Sequence, residues 1–149
     1  MEKSVRSLAA LTLACALAAT IFGFGSDVFS FRSVYAGHVG REALIQTARL
    51  LVYVALGVLL VFQGGWRGVV AALFMVVVAT AAEWALLSTA LGFASIPDPS
   101  GYERRFAGFT RPPYERWALW DILSVGGAAA FSWLLIRIAH FDPTGPRDG

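Results

Sequence analysis

Asparagine is missing altogether, and cysteine and lysine occur once each, as Cys15 and Lys3. Without Asn the chain offers no N-linked glycosylation site and no asparagine amide for catalysis. A single cysteine excludes an internal disulfide, a CxxC redox pair and a thiolate zinc site. Charge is scarce too. Asp, Glu, Lys and Arg make up 15% of the 149 residues, against about 25% in soluble domains. The net charge is only +2, so a basic isoelectric point set by eleven Arg is no sign of a nucleic-acid partner. What fills the space is apolar: 57% of residues are hydrophobic and the mean hydropathy is +0.63. These figures exclude disorder, a nucleic-acid module and a disulfide scaffold, and they point to lipid.

A membrane-crossing helix needs about 20 mainly apolar residues. Four segments qualify, at about 8–24, 43–62, 69–93 and 117–136. The first is uncharged and rich in Ala, and although Lys3 and Arg6 ahead of it resemble a signal peptide, we read it as a retained helix. The second is apolar except for Gln46, Thr47 and Arg49, the third carries only Glu83, and the fourth only Asp121. A soluble fold would need a far larger protein to bury four such runs, and none alternates as a β-barrel strand would. The expectation is an all-α polytopic membrane protein, a single domain of four transmembrane helices in an antiparallel bundle.

The connections refine this expectation. Gln63–Gly68, with Gly64-Gly65, is short enough to make a helical hairpin of spans two and three. The longest connection, 94–116, contains Pro97, Pro99, Pro112 and Pro113, and a loop of that size is rarely a passive connector. Its Tyr102, Arg104, Arg105, Phe106, Phe109 and Arg111 mix aromatic and cationic side chains suited to the membrane surface or to docking a partner. Four crossings put both termini on one face, the terminal face, opposite the face of the long loop. Arginine and lysine divide almost evenly between the faces, and Lys3 and Arg6 ahead of the first span favour cytoplasmic termini in a bacterial inner membrane. Small residues recur at Ala10, Ala14 and Ala18 and at Ser124, Ala128 and Ser132, spacing that suits close helix contact in lipid.

The costly residues are the polar ones inside the spans. Glu83 falls two or three positions past the middle of its span, roughly 4 Å at 1.5 Å per residue, and a central carboxylate costs about 2.5–3.5 kcal/mol to insert. Arg49 is displaced from the middle of the second span toward the same face. An intramembrane Arg49–Glu83 pair follows, which Asp121, Gln46 and Thr47 could join. Three roles fit such a group: a proton or ion path, a polar pocket for a quinone head group, or a cross-brace.

No constellation of catalytic residues is found, and the chain does not read as an enzyme. His38 and His140 fall on opposite faces, too far apart to ligate one haem together, so each is at most a single metal or pigment ligand. No cofactor is expected, with haem, chlorophyll and quinone left open. Partners are membrane lipids and other membrane-protein subunits or further copies of the chain, with no nucleic acid. The first functional expectation is a small accessory or structural subunit of a larger membrane complex, an electron-transfer assembly (respiratory or photosynthetic) being one host. The alternative is a component of a transporter or ion channel that uses Glu83 as a protonatable or ion-binding carboxylate.

Overall fold

The computed structural model describes residues 2–35, 39–90 and 114–139, and every one of them except Gly65 is helical. The helices are α1 (Glu2–Tyr35), α2 (Val39–Gly64), α3 (Trp66–Ala90) and α4 (Tyr114–Ala139). Each contains a stretch long and apolar enough to cross a membrane: Arg6–Phe29, Leu44–Gly64, Trp66–Leu87 and Ala118–Ala139.

The helices run past the limits that hydropathy sets. The first continues eleven residues beyond Phe24, because a chain leaving an apolar span keeps its backbone bonds satisfied most cheaply by staying helical. Gly23 and Gly25 do not interrupt it. Hydroxyls add to its backbone bonding: Thr12, Thr20 and Ser26 each donate to the carbonyl four residues earlier. The hairpin between α2 and α3 is tighter than the six residues expected from the sequence, a single Gly65 with φ of +56°. That left-handed conformation suits glycine, which has no Cβ to crowd the carbonyl. The fourth helix begins at Tyr114, so the last three residues of the expected 94–116 loop belong to it. The rest of that loop, with Tyr102, Arg104, Arg105, Phe106, Phe109 and Arg111, lies outside the described residues, as do His38 and His140.

Pairwise contacts fix the arrangement. Leu8 of α1 meets Gly64 at the end of α2, while Asp27 meets Gln46 near its start. In the α2–α3 hairpin, a Cβ placed on Gly68 would collide with the backbone carbonyl of Leu60, so the two helices touch main chain to main chain there. Across α3 and α4, Trp66 packs at a tilt against Trp133 and Leu73 lies over Gly126. Helices α2 and α3 pack against each other and against both outer helices, whereas the Cα atoms of α1 and α4 stay more than 8 Å apart among the described residues. The interior between them holds Ala16, Ala19, Tyr53, Leu60, Met75, Val76, Ala79, Val125 and Ala129. Small residues let the backbones approach, as at Gly57, where an added Cβ would come within 2.9 Å of Val125 and 3.5 Å of Ala72.

The two small-residue stripes divide between these surfaces. On α1 the packed side runs through Thr12, Ala16, Ala19 and Gly23, so Ala10, Ala14 and Ala18 face outward. On α4 the packed line is Asp121, Val125 and Ala129, with Ser124, Ala128 and Ser132 half-buried beside it.

Candidate functional site

One polar cluster lies in this apolar interior, and each of the four helices sends a charged side chain into it. Arg49 of α2 is at its centre. Its Nη1 donates to Asp27 Oδ1 of α1 at 3.2 Å and to Gln46 Oε1 of its own helix at 3.1 Å. Its Nη2 donates to Asp121 Oδ2 of α4 and lies 3.7 Å from Glu83 Oε2 of α3. Gln46 sits one turn before Arg49 and donates through Nε2 to Asp27 Oδ1 at 3.0 Å, bridging the first two helices. Below the guanidinium lies the ring of Tyr53, one turn on, with 5.3 Å between Cζ and the ring centroid. The Tyr53 hydroxyl donates to the Ala19 carbonyl at 3.2 Å. The four charged side chains are only 4–7% exposed.

The hydrogen bonding is uneven. Asp27 and Asp121 each accept directly from Arg49, but Glu83 accepts no hydrogen bond from it. Asp27 Oδ2, Arg49 Nε and Glu83 Oε1 are buried without a hydrogen-bond partner. Glu83 Oε1 and the Tyr53 hydroxyl occupy the room beside Gly23, where an added Cβ would overlap both. A side chain at position 23 would therefore displace the carboxylate, which is why the glycine matters there.

The depth of the group differs from the estimate made on hydropathy alone. The apolar stretch of α3 is Trp66–Leu87 rather than 69–93, which moves Glu83 to about 10 Å from its middle at 1.5 Å per residue. On the same scale Arg49 is about 7 Å, Asp121 about 11 Å and Asp27 about 14 Å from the middle of their stretches, all displaced toward the long-loop end. The cluster thus occupies the outer part of one half of the spans, and an arginine side chain covers the remaining stagger. Toward the other end the interior is closed by Tyr53, Leu60, Met75, Val76 and Val125, none more than 1% exposed.

Of the residues singled out from the sequence, Gln46, Arg49, Glu83 and Asp121 come together. Thr47 does not join them: two residues from Arg49 is about 200° around a helix, and Thr47 is exposed. Two participants escaped the sequence reading. Asp27 lies beyond the apolar run of span one, in what hydropathy reads as a connection. Its signal was the series Thr12, Thr20, Ser26, a polar edge that continues along the helix to Asp27. Tyr53 was hidden among apolar neighbours, and its signal was the four-residue spacing from Arg49, which places both on one face.

Among the described residues, no group of three or more His, Cys, Asp or Glu is arranged to hold a metal ion. The three carboxylates surround a guanidinium instead. Comparison with protein-family models, curated proteins and solved structures finds no match for the chain.

Proposed function

We propose that this is an integral membrane protein whose helices cross the bilayer alternately, and that the Arg49 cluster is a proton-exchange site serving membrane transport. Glu83 is the carboxylate that takes up and releases the proton. The carrying observation is that one guanidinium faces three carboxylates and hydrogen-bonds only two of them. With all three ionised, the described cluster sums to a charge of −2, three acids against one Arg. For scale, two like charges repel by about 4 kcal/mol at about 4 Å and about 3 kcal/mol at about 6 Å, even at an effective dielectric constant of about 20. A brace needs one carboxylate per guanidinium, and the surplus is what proton exchange accounts for. Exchange runs through the long-loop face, since packed apolar side chains close the other direction. Onward passage requires α1 and α4 to shift, and each is tied to the centre at this level through Arg49.

The protein sits in this reading in a bacterial inner membrane with its termini in the cytoplasm, the side that Lys3 and Arg6 favour. Glu83→Gln tests it, because the amide keeps the shape and leaves the Asp27 and Asp121 contacts in place. Purified protein in liposomes loaded with a pH-sensitive dye should pass protons down an imposed gradient at least ten times faster than Glu83→Gln, with both proteins equally stable. Equal rates refute the assignment.

A second reading, an accessory subunit of a larger membrane complex, draws on two observations. Arg49 links two outer helices whose backbones stay apart, as a brace would. The fourth helix also turns Leu119, Leu123, Phe131, Leu134 and Leu135 outward. If this reading holds, removing 102–111 abolishes co-purification with the partner subunits while membrane insertion persists, and Glu83→Gln disturbs assembly rather than proton flow.

A further inference from the structure

The end of the helices opposite the acidic cluster carries its own constellation, in which the described charged side chains are cationic. Trp66, the first residue of α3, meets Trp133 of α4 with ring centroids 5.4 Å apart and planes tilted by 60°. Arg137, one turn further along α4, lays its guanidinium over the Trp133 ring at 5.3 Å. Arg67 follows Trp66, and both it and Arg137 are exposed. The three described acidic side chains, Asp27, Glu83 and Asp121, all belong to the cluster at the far end.

We infer that Trp66, Arg67, Trp133 and Arg137 form a binding site for the phosphate headgroup of an anionic phospholipid. The inference rests on the membrane reading above but not on the role of Glu83. The Arg137 guanidinium lies over the Trp133 ring, and an arginine resting on an aromatic face can still present its planar fork of N–H donors to a phosphate. Tryptophan prefers the level where acyl chains meet headgroups. Trp66 is exposed and starts its helix, so the pair marks that level, and Arg137 projects about one turn beyond it, roughly 6 Å. Two exposed cations at headgroup depth favour an anionic lipid over a zwitterionic one, whose headgroup carries its own cation.

An arginine near an anionic surface contributes about fivefold in affinity, so the pair contributes about 30-fold. The test uses the full chain in mild detergent, with phosphatidylglycerol or phosphatidylcholine added and bound lipid counted by native mass spectrometry. Wild type should retain phosphatidylglycerol in clear preference. Arg67→Gln with Arg137→Gln should lose most of that preference, while Arg41→Gln, an exposed arginine at the opposite end, should keep it. Thermal unmasking of Cys15 serves as the folding check for each variant. Inorganic phosphate added in excess should leave the bound lipid in place. An unchanged preference in the double variant, or displacement by inorganic phosphate, overturns the headgroup site. Failure of wild type to retain either lipid overturns the membrane reading beneath it.

Discussion

Replacing Arg49 by methionine keeps much of the stem's bulk and removes the guanidinium. Direct hydrogen bonds to Asp27 and Asp121 disappear, together with the 3.7 Å approach to Glu83. A hydrogen bond to a charged group contributes about 1.5–3 kcal/mol, so these two account for about 3–6 kcal/mol. Removing one member of a buried ionic group costs about 3–5 kcal/mol by a separate route, because the remaining charges stay buried without a partner. The two ranges overlap. For a chain of this length each kcal/mol corresponds to about 2–4 °C in the unfolding midpoint, which gives a fall of about 6–20 °C. Cys15, the only cysteine and buried at 4% exposure, supplies the assay. A fluorogenic maleimide stays dark until the bundle opens, so a thermal ramp in detergent reads the midpoint directly. Adding Asp27→Asn, Glu83→Gln and Asp121→Asn to Arg49→Met should recover most of the loss, since a buried ionic group replaced as a whole costs little. An Arg49→Met midpoint within about 2 °C of wild type would refute the claim that the guanidinium holds these helices together.

Neighbouring glycines should behave oppositely. Gly23→Ala drives a methyl into the Glu83 carboxylate and the Tyr53 hydroxyl and should cost about 1–3 kcal/mol. Gly25→Ala meets nothing within 4 Å and should gain about 0.5–1 kcal/mol by stiffening α1. Midpoints by the same maleimide ramp decide both, and equal behaviour would mean that Gly23 does not reserve space for the carboxylate. Gly65→Ala places a Cβ on a residue with φ of +56°, which should cost about 1–2 kcal/mol. An unaffected midpoint there would deny that the hairpin depends on this turn.

The helices were legible because a run of about 20 apolar residues, the length that a membrane crossing asks for, occurs four times in the sequence. Their ends were not legible. Hydropathy marks where a chain stops being apolar, whereas a helix stops where its backbone finds other partners, so α1 extends past Phe24 and carries Asp27 with it. Depth arithmetic brought Arg49, Glu83 and Asp121 to one level because 1.5 Å per residue holds on every helix. It could not give rotation about the axes. That is why Thr47 was grouped with Arg49 although it faces the opposite way, and why the stripe Ala10, Ala14, Ala18 could not be told from the buried edge of α1. The value of Gly23 was hidden for the same reason, since its contacts lie on α2 and α3, far along the chain.

The most direct test of the central claim is an infrared difference spectrum of the protein in lipid, recorded between acidic and alkaline pH and watching the protonated-carboxyl C=O stretch. If Glu83 exchanges a proton inside the cluster, wild type shows a band in this region that Glu83→Gln loses and Asp27→Asn keeps. A spectrum in which Glu83→Gln changes nothing would contradict the assignment and leave Arg49 and its three carboxylates as a brace alone.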